Sequence, residues 1–257
     1  MSPTPPPGYQ QLAAQLREEI VRGQLPPGST LPKLTELAAT HGVAVLTARR
    51  AIAVLEAEGL VEAVRRRGTV VRAQPPRRRI RRDRTVYRDD RGYYFDAAAQ
   101  PWIAVTTPTV SWGPAPADIA ALLGVPAGAE VLIRDRVMGD PDGTPRQLAT
   151  SYLPADLTRG TILAEANTGP GGIYDRLEEM GHAPLEWSED VTARAPLHHE
   201  ATALRLPPGV PLLRITRTTT NPAGRPLEIN DTRMSAETFA ISYPLHRHRT
   251  ARHAAKS

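Results

Sequence analysis

The 257-residue chain contains no cysteine, which excludes a disulfide scaffold, a thiolate metal site and a cysteine nucleophile, and fits a reducing compartment. No run approaches the roughly 18 consecutive apolar residues of a membrane span, and the opening stretch MSPTPPPGY lacks the basic head and apolar body of a signal peptide. A cytoplasmic protein with no membrane partner is the expectation. No useful internal repeat is present. The glycines of TGPGGIYDRL (168–177) are not followed by the Gly-Lys-Ser/Thr of a phosphate loop. His198, His199, His246, His248 and His253 have no carboxylates at ligand spacing on one helix or hairpin. With no paired acid and base either, the expectation is no metal, no cofactor and no catalytic residue.

What is present is a charge asymmetry. The formal net charge is +5, but residues 1–92 carry 17 Lys/Arg against 9 Asp/Glu, residues 93–243 carry 11 against 18, and residues 244–257 add four basic residues. A basic front on an acidic body is expected when only the front meets a polyanion. The length exceeds the usual single domain of about 100–150 residues, so two domains are expected, each with its own core.

In YQQLAAQLREEIVRG, Tyr9, Leu12, Ala13, Leu16 and Ile20 recur at helical spacing, and Gly23 stands where a left-handed cap ends a helix. KLTELAATHG offers a second helix with Gly42 as its stop. From Val45 to about Glu58 a third helix has Ala48, Ala51, Ile52 and Leu55 as its apolar stripe, leaving Val45, Leu46, Thr47, Arg49 and Arg50 largely on the other side. LVEAVRRRGTVV then gives two β-prone runs around a basic tip, a wing. The boundaries expected are a disordered Pro-rich 1–8, a winged helix-turn-helix over 9–73, a basic linker over 74–92 too polar to pack, a second domain over 93–245, and a basic disordered tail over 246–257. The second domain alternates short β-prone runs with helical stretches and hairpin turns at GDPDGTP and NPAGRP, so an α+β fold with an antiparallel sheet is expected.

The front, from YQQLAAQLREEIVRGQLPPGSTLP through ELAATHGVAVLTARRAIAVLEAEGLV to RRGTVV, resembles the GntR family of bacterial transcription regulators. The back resembles the UTRA effector-sensing domain of the HutC-type branch, through DIAALLGVPAGAEVLIRDRV, DGTPRQLATSYLP, ALRLPPGVPLLRITRTTTNPAGRPLEIND and ISYPL. The resemblance implies a homodimeric DNA-binding regulator, a repressor or an activator, with a repressor released from a double-stranded operator by a small molecule as the leading expectation. It also implies a chorismate-lyase-like effector fold without the enzyme's chemistry. A regulator with no effector, controlled by its own level, and an enzyme retaining turnover remain open at this point. Three departures stand out: Pro32-Lys33-Leu34-Thr35 where the family commonly has Pro-Ser-Glu-Arg, Ala44-Val45-Leu46-Thr47 for Ser-Arg-Thr-Thr, and Arg66-Arg67-Gly68 for Gly-Arg-Gly.

Val45 and Leu46 cannot hydrogen-bond to base edges, but aliphatic side chains can meet thymine methyls, while Arg49 is suited to guanine. Lys33, Thr47, Arg50, Arg66, Arg67, Gly68 and Thr69 are expected at phosphates, where contacts position without specifying. The alternative is that Val45 and Leu46 pack against another helix. For the effector, the UTRA resemblance implies Arg134 and Arg136, at i and i+2 of one strand and so on one face, with Glu228 and the wall residue Tyr152, around an anionic ligand. Ala149 stands where sugar-binding members often carry a glutamate. The alternative is an exposed strand face with Arg134 and Arg136 paired to Asp135 or Glu228.

Overall fold

The computed structural model describes residues 7–73, 75–89, 92–94 and 102–246. The disorder expected of 1–6 and of 247–257 falls outside these residues, as do linker positions 74, 90 and 91. Two compact units emerge: Met1–Pro76 together with Ala195–Pro211, and Arg77–Arg194 together with Leu212–Ser257.

The first unit holds α1 (Tyr9–Val21), α2 (Leu34–His41), α3 (Val45–Ala57), β1 (Val61–Val64) and β2 (Gly68–Val71). The periodic apolar residues face inward as their spacing requires: Leu12, Ala13 and Leu16 of α1 meet Leu37 and Ala38 of α2 and Ala48, Ala51, Ile52 and Leu55 of α3 in one core. Gly42, at φ +62°, terminates α2 in the left-handed region. At the other end of α2, Lys33 holds the N-cap position and has no side-chain oxygen to accept from the first turn. The reciprocal half of the cap survives, because the Lys33 backbone N–H donates to Glu36 Oε2 at 3.1 Å. Arg17 and Glu58 join α1 to the end of α3 through two charged hydrogen bonds of 2.8 and 2.5 Å.

Residues 195–211 join this unit although the expectation ran the second domain unbroken from 93 to 245. They include a short helix, α7 (His198–Ala203). The physical reason is a close backbone approach: a Cβ on Gly209, at φ +76°, would lie 2.6 Å from both Ala57 O and Gly59 N. Only glycine permits that spacing. Buried Arg72 closes the same corner, donating from Nη1 to Gly59 O at 2.9 Å.

The second unit is built on an antiparallel sheet of seven strands among the described residues. Its order is β10 (Glu186–Arg194), β11 (Leu212–Thr220), β12 (Pro226–Ser235), β9 (Pro145–Pro154), β8 (Glu130–Gly139) and β6 (Ile103–Ala104), with β7 (Thr109–Pro114) also on β8. The hairpins β8–β9 and β11–β12 turn at GDPDGTP and NPAGRP as expected. On one face, α5 (Ala155–Thr158), a 3₁₀ turn (Ile162–Ala164) and α6 (Gly172–Leu177) cover Leu132, Leu153 and Leu227. On the opposite face α4 (Ala117–Leu123) covers Val131, Ile133, Tyr152 and Ile229.

The linker expectation needs correction. Residues 78–81 form β3 (Arg78–Arg81), paired in parallel with β13 (Phe239–Ser242), and β4 (Tyr87–Asp89) pairs with β5 (Gly92–Tyr94). The single apolar residue among the arginines accounts for it: Ile80 is buried with Ile215, Met234 and Phe239. One inward position in a four-residue strand suffices when the remaining side chains stay solvated.

Candidate nucleic-acid interface and effector site

In the first unit, the start of α3 is solvent-facing. Val45 is 41% and Leu46 57% exposed, and neither is among the residues packed into the core of the three helices. Arg49 and Arg50 are exposed and Thr47 is half-buried. Lys33 is exposed at the N-terminus of α2. In the wing, Arg66 (φ +68°) and Gly68 (φ +92°) both take left-handed backbone to turn β1 into β2. Arg66, Arg67 and Gly68 are exposed and Thr69 is half-buried. Arg67 has a second duty, since its Nη2 donates to Gly28 O at 2.9 Å and ties the wing to the α1–α2 turn. A third strand segment braces the wing through a Thr30–Val70 bridge.

In the second unit, strand register decides which residues can meet. Arg134 stands opposite Ser151, Ser151 opposite Asn230, Asn230 opposite Arg217, and Arg217 opposite Glu189. Directly opposed residues share a face, so one polar row crosses five strands. It runs between the apolar cluster under α5 and α6 and the cluster around Ile80 and Phe239. Arg136 and Glu228 belong to the same face, each two residues from a member of the row. Arg136 Nη2 donates to Ser151 Oγ at 3.0 Å, and Asn230 Nδ2 donates to the same oxygen at 3.0 Å. Thr219 Oγ1 donates to Glu228 Oε2 at 3.1 Å, and Glu228 is buried at 1% exposure. The Tyr174 hydroxyl adjoins Glu228 and Arg217; burial pushes its pKa up, and the Glu228 carboxylate adds to the rise.

Two expectations change here. Tyr152 does not stand on the face of this row. It pairs with Ile133 and Ile229, one step out of register with Arg134, and packs under α4 on the opposite face. A one-residue offset along a strand reverses the side on which a side chain stands. Arg134 shares the face with Arg136 but its guanidinium is engaged: Nη1 donates to Leu163 O at 2.8 Å and Glu165 O at 2.5 Å, and Nη2 donates to Ala166 O at 3.0 Å. Burial lowers its pKa, the charge of Arg136 lowers it further, and Glu228 opposes both. Arg136, by contrast, is half-buried and its Nε has no hydrogen-bond partner among the described residues. Asp135 takes no part, because its Oδ1 accepts from Thr150 on the other face. Sequence reasoning missed Ser151, Thr219, Asn230, Tyr174 and Arg217. The available signal was in β12, where Glu228, Asn230 and Thr232 form a buried polar run at period two.

Residues 8–71 match the bacterial regulatory proteins of the gntR family, and residues 106–240 match the UTRA domain. An HTH-type transcriptional regulator of Streptomyces coelicolor is 33% identical over 249 residues, covering 92% of each chain. The HTH-type transcriptional repressor NagR of Bacillus subtilis is 27% identical over 224 residues, covering 84% of this chain and 85% of that one. Among solved structures, a GntR-family transcriptional regulator superposes with a TM-score of 0.68 at 31% identity, covering 94% of this chain and 98% of its own. The chain thus belongs to the gntR family of bacterial regulatory proteins and, with a UTRA domain behind its winged helix-turn-helix, is a transcriptional regulator of the HutC type and not an enzyme.

Proposed function

We propose that this regulator is a homodimeric, sequence-specific repressor that a small anionic effector releases from its operator. The observation that carries the DNA half is the exposed, aliphatic start of α3 beside exposed Arg49. In a major groove, Val45 and Leu46 read thymine methyls and Arg49 reads guanine. Lys33, Thr47, Arg50, Arg66, Arg67, Gly68 and Thr69 hold phosphates and set the register. A single winged module makes few base contacts, so two copies on a two-fold operator supply the affinity of about 10⁻⁸–10⁻¹¹ M usual for regulators.

The effector half rests on the polar row between two apolar clusters. Arg136, with an unpartnered Nε, receives the anionic group; Ser151 and Asn230 orient it; Glu228 accepts from a hydroxyl or amine of the same molecule. Arg134 acts by holding the 163–166 loop in place. Effector binding then favours a dimer geometry with the wrong half-site spacing for DNA.

The test begins with selection of bound sequences from random DNA, followed by a metabolite screen for release from the selected operator. Arg136→Ala is expected to bind the operator like the parent and to lose release. Loss of DNA binding in that variant, or normal release by it, overturns the assignment.

A further inference from the structure

We propose a second small-molecule site in the C-terminal unit, at the opposite end of the polar row from Arg136: a cavity beneath residues 82–86 that takes a single-ring aromatic anion. The cavity measures about 260 Å³ and is lined by Arg82, Arg84, Val86, Trp187, Glu189 and Tyr243, among others. Drug-sized ligands need ~300–1,000 Å³, so this space suits one substituted ring.

The walls supply ring contacts. Trp187 is fixed from one side by the edge of Tyr174, at 5.6 Å between centroids and 75° between planes. Tyr243, just beyond β13, is 43% exposed. Such faces are suited to an aromatic guest.

The charge balance selects an anion. Glu189 is the carboxylate of the lining, and both its oxygens are engaged: Oε1 accepts from Arg217 Nε at 2.9 Å and Nη2 at 2.5 Å, while Oε2 lies 3.5 Å from Arg82 Nε. Arg84 is left over, with no hydrogen bond or ion pair among the described residues. Two lining arginines against one lining carboxylate leave the cavity cationic, and a guanidinium pairs with both a carboxylate and a ring.

The backbone is consistent with a ligand clamp. Arg84 sits at φ +66°, a left-handed conformation that costs a non-glycine residue about 1–3 kcal/mol and collects at ligand-binding segments. Neighbouring groups hold it there: Asp83 accepts the Thr85 backbone N–H at 3.0 Å and the Tyr87 hydroxyl. The cavity lies at the β10 end of the polar row, whose last member is Glu189. Glu189 on β10 is four strand spacings from Arg136 on β8, about 19 Å, and two from Glu228 on β12, about 10 Å.

The experiment titrates the full chain with benzoate, following tryptophan emission and heat. Benzyl alcohol serves as the neutral ring, and inorganic phosphate as the anion without a ring. Saturable benzoate binding at millimolar concentration is expected, with phosphate silent. Arg84→Met should weaken benzoate about tenfold, the effect of one lost charge-assisted contact to the carboxylate, and weaken benzyl alcohol by less. Trp187→Phe, which keeps an aromatic wall, should remove the emission change while calorimetry still registers binding. Arg136→Ala should leave benzoate affinity at the parent value, which separates this site from the proposed effector site. No saturable binding of benzoate, binding indifferent to Arg84→Met, or binding lost in Arg136→Ala would each overturn the proposal.

Discussion

Replacing Arg134 and Arg136 in turn by methionine separates two roles that their sequence spacing makes look alike. Arg134 is 5% exposed and donates to three carbonyls of the 163–166 loop. Its removal orphans Leu163 O in a buried setting, at about 1–3 kcal/mol for an unsatisfied acceptor. Glu165 O and Ala166 O are part-buried and can turn to water, so each adds at most ~1 kcal/mol. Removing a cation that burial already disfavours returns part of this. A net loss of about 2–3 kcal/mol lowers the melting temperature of a unit this size by about 4–12 °C. Arg136→Met loses only the Ser151 hydrogen bond, ~0.5–1.5 kcal/mol, and relieves the repulsion from Arg134. Its melting temperature should stay within about 4 °C of the parent. Thermal unfolding by circular dichroism measures both. Equal melting temperatures for the two variants would refute the view that Arg134 pins the loop.

How much of this was legible in the sequence varies with the length scale of the signal. The three N-terminal helices were legible because Leu12, Leu16, Ala48, Ile52 and Leu55 repeat at helical period, and Gly42 marks an end that only φ beyond zero completes. The hairpins of the sheet were legible through their Gly- and Pro-containing turns. The strand β3 was not, because RRIR has one apolar residue, and the partner that buries it, Phe239, lies about 160 residues onward in a parallel pairing that no local pattern encodes. Arg134 and Arg136 could be assigned to one face from alternation alone, yet Tyr152 could not be assigned to either side of it. Facing across strands depends on register, and register is a long-range property. The capture of Arg134 by three backbone carbonyls was likewise invisible, since main-chain acceptors leave no trace in residue identity.

Four further outcomes follow. Arg66→Ala with Arg67→Ala should flatten the log–log salt dependence of DNA binding by roughly one to two units; Arg67→Ala alone should also cost stability, because it anchors Gly28 O. Gly209→Val should destabilise the N-terminal unit by more than ~2 kcal/mol, since its Cβ would meet backbone at 2.6 Å and cannot displace it; a variant as stable as the parent would remove 195–211 from that unit. Light scattering at micromolar concentration should give a dimer, and a monomer footprinting one half-site would overturn the two-fold reading. The last outcome concerns α3. Val45 and Leu46 are exposed at 41% and 57% among the described residues, and in a groove the thymine methyl is the base feature an aliphatic group can recognise. Uracil deletes that methyl and keeps every hydrogen-bonding group, so replacing the contacted thymines should cost on the order of 1 kcal/mol each in gel-shift titrations. Val45→Arg should shift preference toward guanine at the same step, while Arg49→Ala should relax only the neighbouring guanine. An operator indifferent to uracil at every thymine would leave Thr47 and Arg49 as the residues that read sequence, and Val45 and Leu46 as surface that the groove merely accommodates.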